Sequence, residues 1–494
     1  MSELRSLVQS VLVPGFDETT TPDWLARRLD QGLAGVCWFG QNVTGPEQAR
    51  QLADELHRAR EGVLVLSDEE GGAVSRLEAA RGSSWPGHAS LGQLDDVTVT
   101  HAVAAALGRQ VRGAGVDVAL SPCVDVNSDP DNPVIGVRSF GATPELVSRH
   151  GAAFVRGLQS SGVASCAKHF PGHGATRTDS HVDLPYVDAP AAVLRERDIE
   201  PFAAVVEAGV RCVMTAHVVF PALDDQPATM SPTLLSLLRD ELRFDGVIIS
   251  DALDMHAISH GVGRGPGAVR ALAAGVDLVC MGNPSFPSAY DAEAVLDEVV
   301  EAVVAAVDDG SLSRERLEQA AARVADLATW VATASGGAPP DEPAVGDDSR
   351  AIGRDVARRV VQSKGDVRVD GVPLVIELVG PVNVAAGRQP SPFLAELRRR
   401  HPQLDVISVA SESDVAALPT GQSPVVVLVG QRRDADTAAA LHSVLAAGGD
   451  AVVVYTGLAT DDDPGERTVH SFGGGRAMAE AVADLICGVG AGAQ

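Results

Sequence analysis

Short apolar runs alternate along the first two thirds of the chain with longer segments rich in Ala, Leu, Arg and Glu at helical spacing. Such alternation is typical of parallel strands joined by crossover helices. The apolar runs are Val8–Pro14, Gly35–Phe39, Val63–Asp68, Val116–Pro122, Val163–Phe170, Val210–Val218, Gly246–Asp251 and Gly275–Gly282. Eight such units within residues 1–335 predict a closed (β/α)₈ barrel.

The pattern changes after a predicted helix at Ser313–Thr333. Residues 336–350 are predicted to form a linker, because Pro, Gly and acidic residues crowd its first part. Residues 351–494 are predicted to form a smaller α/β sandwich domain around an open parallel sheet. Its apolar runs are Pro373–Gly380, Leu404–Ala410, Pro424–Gly430 and Ala451–Gly457. The predicted fold class is therefore α/β, with a TIM-like barrel followed by an open-sheet domain.

Composition narrows the class of partner. The 494 residues carry a formal charge of −27, which repels both nucleic acid and an anionic membrane surface, so we expect neither as a partner. No stretch reaches the roughly 18 consecutive apolar residues of a membrane span. The first apolar run reaches Pro14 and Asp17 too early for a signal peptide. Six scattered cysteines without a CxxC pair indicate reduced thiols, so we expect a soluble cytoplasmic protein.

Polar side chains stand at the ends of four predicted barrel strands. Asp68 ends the third run, Lys168 and His169 lie in the fifth, His217 in the sixth, and Asp251 closes the seventh. Solvated turns also produce polar strand ends, but barrel enzymes carry their reactive residues at the carboxyl ends of the strands. Four polar ends at the same edge favour a functional site there.

The segment Cys166–Asp183 is dense in groups that donate or accept protons. Lys168 is one of two lysines in a chain that otherwise uses arginine, which favours a compact ammonium in a tight pocket over a solvated side chain. Asp179 and His181 stand two residues apart, so in an extended loop the carboxylate can hydrogen-bond the imidazole. A histidine held in this way can protonate a leaving oxygen and later deprotonate a water.

A zinc site is the rival interpretation of the histidines in this segment. His169 and His173 are four residues apart, which would align them on a helix, but Pro171, Gly172 and Gly174 disfavour a helix there. We therefore predict no metal and no other cofactor.

The second reactive element is Phe244–Met255, an apolar strand that ends abruptly in Ser250 and Asp251. Glycosyl transfer through a covalent intermediate needs one carboxylate to attack the anomeric carbon while a second group protonates the departing oxygen. By its position at the strand end, Asp251 is a candidate for the attacking carboxylate, and Asp254 is close enough in sequence to compete for this role. Asp254 lies beyond the strand end and is expected to help begin the next helix.

Five motifs resemble those of the bacterial β-N-acetylglucosaminidases of glycoside hydrolase family 3, in the family's order. The Asp-Ser-His motif is the one that separates these enzymes from the β-glucosidases of the same family. The motifs are Asp68–Leu77, Arg138–Gly141, Lys168–Gly174, Asp179–His181 and Ile249–Asp251.

The resemblance implies a role for each matching residue. Asp251 would be the nucleophile, His181 the acid/base and Asp179 its orienting partner. The implied sugar-binding residues are Asp68, Arg76, Arg138, Lys168 and His169, and His217 fits the pocket by its position. Two positions depart from the family pattern: Glu69 stands where Gln is common, and Ala252 stands where an acid is common.

The activity that the resemblance implies is retaining hydrolysis of terminal β-linked N-acetylglucosamine. Because aromatic residues make up only 4% of the chain, it has little material for platforms that bind long polysaccharides. The expected substrate is therefore a small soluble glycan, such as a muropeptide fragment from cell-wall recycling or a chito-oligosaccharide. Two alternatives stay open: a phosphorylase, since a histidine acid/base repels phosphate less than a carboxylate does, and an inactive sugar-binding protein.

Overall fold

A computed structural model of the chain describes residues 3–178, 183–334, 347–380, 387, 390–415, 418, 424–431, 434–447, 451–460 and 463–488. The chain divides by its internal contacts into two units. The first consists of Met1–Glu70, Asp96–Ile135 and Ser139–Gly346, and the second of Gly71–Asp95, Gly136–Arg138 and Asp347–Gln494. The segments Gly71–Asp95 and Gly136–Arg138 thus belong to the second unit, although they lie early in the sequence. A single boundary in the sequence therefore does not separate the two units.

Eight parallel strands form the centre of the first unit in the described part of the chain. Each lies inside one of the eight predicted apolar runs, because strands buried on both faces are written as nearly continuous apolar sequence. In chain order the strands are Leu12–Val13, Gly35–Trp38, Leu64–Ser67, Val118–Ala119, Ala164–Phe170, Cys212–Thr215, Val247–Ile249 and Val279–Cys280. Three further strands, Glu69–Gly71, Val219–Phe220 and Asp224–Pro227, lie outside this set, and the last two pair antiparallel.

Hydrogen bonds join these strands in chain order. The second to seventh strands form one sheet, and the eighth strand pairs with the first. A bridge connects the seventh strand to the eighth, and a backbone hydrogen bond connects the second to the first. The links are Leu12 opposite Val279, Ile249 opposite Leu278, and the Cys37 N–H donating to the Pro14 carbonyl oxygen at 3.0 Å. The sheet therefore curves, and the first unit is a TIM-like α/β domain, as predicted.

Helices follow the strands of the first unit. In Pro46–Ala59 the buried residues Ala49, Leu52, Ala53 and Leu56 repeat at the spacing of one helix face, so this face packs inward. The helices are Glu3–Gln9, Asp23–Asp30, Pro46–Ala59, Val97–Gly113, Pro144–Gln159, Ala191–Val193, Glu200–Glu207, Pro232–Ser236, His256–Ser259, Arg264–Ala274, Ala292–Asp308 and Arg314–Ala334. Leu194–Ile199 and Leu237–Glu241 are π-helical, and Gly40–Asn42 and Ala228–Met230 are 3₁₀ turns.

The main apolar core of the first unit draws residues from all eight strands and from the helix Arg314–Ala334. Cys37, Cys166, Cys212 and Cys280 belong to it. Burial raises the pKa of the Cys212 thiol well above its ordinary value, so this side chain behaves as a small apolar group.

The second unit contains a six-stranded sheet among its described residues. Four of its strands lie in the predicted apolar runs. In sheet order the strands are Gln362–Lys364, Thr468–His470, Ala451–Tyr455, Val425–Val429, Leu374–Leu378 and Val406–Val409. The first of these is antiparallel to its neighbour, which departs from the predicted all-parallel sheet. Its three residues are exposed at the sheet edge, so they carry no apolar signal.

The helices of the second unit are His88–Leu94, Asp347–Val360, Pro392–Arg400, Glu412–Val415, Ala435–Ala446 and Arg476–Cys487, with a 3₁₀ turn at Gly136–Arg138 and a short strand at Val74–Ser75. The helix Asp347–Val360 begins inside the predicted linker, whose residues 336–346 lie outside the described part of the chain. Over the described residues of both units, no helix combines the length and apolar character that a membrane crossing needs.

Candidate active site

The described candidate residues of the first unit lie at the carboxyl ends of its strands. Asp68 directly follows the third strand, and Lys168 and His169 lie within the fifth. His217 comes two residues after the sixth strand, and Asp251 two residues after the seventh. This is the edge at which barrel enzymes place their reactive groups.

Lys168 forms a buried ion cluster with two carboxylates. Its Nζ lies 2.6 Å from Asp68 Oδ1 and 2.8 Å from Glu70 Oε1, and its side chain is 2% exposed. The tight pocket predicted for this ammonium is therefore present. The side chain of Asp68 is 17% exposed, so this carboxylate is the member of the cluster that a ligand can reach. Sequence reasoning missed Glu70, because three adjacent acidic residues do not reveal which of them faces the lysine.

Asp125 forms a second cluster, which sequence reasoning also missed. It follows the fourth strand and is fully buried. Its Oδ2 lies 2.7 Å from His169 Nδ1 and accepts the thiol proton of Cys123 at 3.1 Å, while Oδ1 accepts the backbone N–H groups of His169 (3.2 Å) and His173 (2.6 Å). Burial would raise the pKa of this carboxyl, but the neighbouring His169 and His173 hold it well below its ordinary value. Asp125 is therefore ionised, and its hydrogen bonds hold His169 and His173 in place.

His173 lies in the same buried region. Burial is the largest cause that lowers the pKa of His173 to about 4, His169 adds to the shift, and Asp125 and Asp251 oppose it. At neutral pH this imidazole is therefore uncharged, and its Nδ1 lies 2.8 Å from Thr176 Oγ1. Because the charge of Asp251 acts on this ring, the predicted nucleophile lies within electrostatic range of the loop after the fifth strand.

Two glycines explain how this loop packs so closely. A Cβ on Gly174 would lie 1.8 Å from the Val126 carbonyl oxygen, so no larger residue fits without moving the backbone. Gly172 has a φ of 145°, and a Cβ there would lie 2.7 Å from the Cβ of Asp198. Burial raises the pKa of Asp198 to about 6, partly offset by the hydrogen bonds of Arg197.

The segment that carries Asp251 is held from two sides. Asp251 is partly buried, and its Oδ1 accepts the N–H of Ala252 at 2.8 Å. The fully buried His217 lies 2.8 Å from Thr229 Oγ1 through Nδ1, and its Nε2 donates to the Ala252 carbonyl oxygen at 3.0 Å. Both ring nitrogens of His217 thus contact protein, so this residue supports the backbone next to Asp251.

The expectation for Asp254 is wrong. The next helix, His256–Ser259, begins after Met255 without a side-chain cap. The Asp254 carboxylate instead accepts the N–H of Asn283 at 2.7 Å and lies 3.5 Å from the Tyr290 hydroxyl. Asp254 therefore ties the end of the seventh strand to the loop after the eighth.

The remaining predicted site residues fall into two groups. Asp179 and His181 lie outside the described residues. Arg76 and Arg138 belong to the second unit, where both side chains are buried. The carbonyl oxygen of Arg138 lies 2.6 Å from His88 Nδ1.

One set of metal-ligand atoms converges among the described residues: Cys123, Asp125 and His169, within 4.8 Å of one another. All three side chains are buried, and the thiol and the imidazole both contact the same carboxylate oxygen. A cation at this position would have to replace both of these protons. The arrangement therefore fits a hydrogen-bonded cluster as it stands.

Comparison with known proteins assigns the family. The family described as "Glycosyl hydrolase family 3 N terminal domain" matches residues 7–327. Beta-hexosaminidase A of Pseudoalteromonas piscicida is 33% identical over 398 residues, which cover 74% of this chain and 65% of that protein. Beta-hexosaminidase of Hydrogenovibrio crunogenus is 36% identical over 316 residues, which cover 62% of this chain and 85% of that protein.

A solved structure is similar over both units. It is a glycoside hydrolase family 3 beta-N-acetylglucosaminidase from Paenibacillus sp. str. FPU-7, with 29% sequence identity and a TM-score of 0.85, and the match covers 99% of this chain and 97% of that one. The chain belongs to glycosyl hydrolase family 3. Within that family, these curated relatives carry the name β-hexosaminidase.

Proposed function

We propose that this protein is a retaining β-N-acetylglucosaminidase of family 3, built on an eight-stranded barrel, that removes terminal β-linked N-acetylglucosamine from small soluble glycans. The observation that carries the proposal is the placement of Asp251. It lies at the carboxyl end of the seventh strand, in a chain of glycosyl hydrolase family 3 whose two compared curated relatives carry the name β-hexosaminidase.

Asp251 acts in this proposal as the nucleophile that forms a covalent glycosyl-aspartate. The Ala252 N–H donates to Oδ1 and thereby helps to orient the carboxylate that attacks the anomeric carbon. His217 holds the backbone of Ala252, so it positions the nucleophile, and we assign it this role in place of sugar binding.

His181 acts as the acid/base in the proposal, and Asp179 orients it. The support is the Asp-Ser-His motif, in which a carboxylate two residues from an imidazole raises the basicity of the ring. The imidazole first protonates the departing oxygen and then deprotonates the water that cleaves the glycosyl-aspartate.

Sugar hydroxyls bind at the ion cluster of Lys168. The partly exposed Asp68 carboxylate accepts hydroxyl protons, and the ammonium, held by Asp68 and Glu70, donates to a hydroxyl oxygen. His169 binds a hydroxyl beside them in the proposal, and the sugar-binding roles that the family resemblance implies for Arg76 and Arg138 stay predictions.

Hydrolysis has more support than phosphorolysis, because the matched curated relatives carry hexosaminidase names. The test is an assay of the full chain with p-nitrophenyl β-N-acetylglucosaminide and the matching β-glucoside, with and without inorganic phosphate. We expect release from the acetamido sugar alone, at a rate independent of phosphate, with free N-acetylglucosamine as the product. Preference for the glucoside, or formation of a sugar 1-phosphate, would contradict the proposal.

A further inference from the structure

Asp125 is a fully buried carboxylate that the proposed reaction does not use directly. An ionised carboxylate in such a place is costly unless hydrogen bonds satisfy its oxygens. Both oxygens are satisfied here. Oδ1 accepts two backbone N–H groups, from His169 and His173, and Oδ2 contacts the His169 ring and the Cys123 thiol.

The contact with the imidazole has a direct consequence for the proton on the ring. An ionised carboxylate only accepts hydrogen bonds, and Asp125 Oδ2 lies 2.7 Å from His169 Nδ1. Nδ1 must therefore carry a proton. In the neutral ring, Nε2 is then left as the acceptor.

The backbone contacts of Oδ1 fix the direction of the same residue. They join the loop after the fourth strand to both ends of the segment His169–His173. The backbone of Lys168 is fastened to the same loop, since its carbonyl oxygen accepts the Val124 N–H at 2.8 Å and its N–H donates to the Pro122 carbonyl oxygen at 3.1 Å. A shift of Asp125 would thus move the two sugar-binding candidates of the fifth strand together.

We propose that Asp125 is the positioning residue of the sugar site, which holds the Nδ1–H tautomer of His169 so that Nε2 accepts a hydrogen bond from a hydroxyl of the bound sugar. The inference rests on the proposed function for its substrate. It makes the carboxylate after the fourth strand a determinant of sugar binding that sets the tautomer of His169 without contacting the sugar itself.

Asp125→Asn is the decisive substitution because it keeps the size of the side chain and inverts one hydrogen bond. The amide oxygen can still accept the two backbone N–H groups, and the NH₂ group then faces His169 Nδ1. The ring must switch to the Nε2–H tautomer, which turns the acceptor toward the sugar into a donor. We expect kcat/KM on p-nitrophenyl β-N-acetylglucosaminide to fall about 10²-fold.

A double-mutant cycle separates positioning from general scaffolding. In the His169→Ala background, Asp125→Asn should change kcat/KM less than about threefold, because the group it acts through is already missing. Cys123→Ala is the matched control, since it removes a different partner of the same oxygen and should keep kcat/KM within about threefold of the wild type. Independent, multiplicative losses from Asp125→Asn and His169→Ala would overturn the proposal.

The tautomer itself is measured on the full-length wild-type chain with ¹⁵N-labelled histidine and long-range ¹H–¹⁵N correlation, a readout that needs neither activity nor the variant. We expect a protonated Nδ1 for His169 in the wild type and a protonated Nε2 in Asp125→Asn. A wild-type Nε2–H tautomer would overturn the inference. Absence of glycosidase activity in a wild type with the expected tautomer would instead contradict the proposed function.

Discussion

Two buried carboxylates of the first unit, Asp277 and Asp125, lie at opposite ends of the strands. They differ in the groups that stabilise their negative charge. Asp277 precedes the eighth strand and is 0% exposed. It contacts Arg239, lies 2.6 Å from Arg316 and 3.3 Å from Arg323, and accepts the Ile248 N–H at 3.0 Å. Asp125, equally buried, contacts a histidine, a thiol and two backbone N–H groups.

The difference lies in whether the partner's proton can move. A guanidinium stays protonated at any physiological pH and has no acceptor, so the Asp277 cluster can only fasten the amino ends of the strands. An imidazole has a second nitrogen whose role depends on the first. By fixing the proton on Nδ1 of His169, Asp125 can therefore determine whether Nε2 donates a hydrogen bond to a ligand or accepts one from it. Burial alone does not tell whether a carboxylate stabilises the fold or positions a binding residue. The chemistry of the groups that contact the carboxylate does.

The largest effect that we expect comes from removing the charge of Asp277, and it is on the free energy of unfolding. Asp277→Asn leaves three partly buried guanidinium groups without their buried counter-charge, so we expect it to lower the free energy of unfolding of the first unit by about 3 kcal/mol. The catalytic constants of the folded fraction should change less than about threefold, because the substitution lies at the other end of the strands from the site. Denaturant unfolding followed by circular dichroism, with the exposed Asp308→Asn as control, checks this. Loss of activity without loss of stability would contradict the assignment.

Removing a buried charge from the candidate site should lower activity more than stability. Lys168→Met removes the ammonium between Asp68 and Glu70, so we expect kcat/KM on the aryl acetamido sugar to fall about 10²-fold. The other lysine of the chain, Lys364, is exposed in the second unit, and Lys364→Met is the matched control. Equal activity of the two variants would show that the Lys168 cluster does not bind the sugar.

The third prediction concerns pH. The folded-state pKa of His173 is about 4, below its ordinary value of 6.5, so its contribution to stability is present above pH 6.5 and is lost as the pH falls toward 4. Between pH 7 and 5 we expect the stability advantage of the wild type over His173→Gln to decrease by about 2 kcal/mol. Denaturant midpoints at several pH values measure this difference. A constant difference across that range would contradict a buried neutral His173.

His57, near the amino ends of the strands, is the control of opposite sign. Burial lowers its pKa, but the hydrogen bond and charge of Asp117, 2.9 Å away, raise it above 6.5 overall. Its contribution is therefore present below pH 6.5 and is lost as the pH rises through the folded-state value. His57→Gln should show a smaller effect that grows toward acid pH, and the same sign as for His173→Gln would contradict the electrostatic account.

The fold was readable from the sequence where strands are buried on both faces. All eight strands of the first unit lie in apolar runs, yet the run Val8–Pro14 also contains the end of the helix Glu3–Gln9, which the apolar pattern alone does not separate from a strand. The edge strand Gln362–Lys364 is polar and exposed, so it left no signal. The grouping of 71–95 and 136–138 with the second unit depends on contacts distant in sequence.

The site was readable where a polar residue closes an apolar run. Lys168 stood out because the chain uses arginine almost everywhere else, which predicted a tight pocket for its ammonium but not the carboxylate partners Asp68 and Glu70. Asp125 was missed because Pro122 ended the run three residues earlier, and the carboxylate is identified only by the loop that packs onto it. The roles of Asp179 and His181 stay predictions.

The central claim, a covalent intermediate on Asp251, is tested most directly by trapping it. The full chain is incubated with an activated, slowly turned-over fluorinated analogue of the acetamido sugar, digested, and sequenced by mass spectrometry. We predict one added glycosyl group on the peptide that contains Asp251, and none in Asp251→Ala. An adduct on another carboxylate, or no adduct together with an inverted product anomer in the early NMR spectrum, would contradict the account.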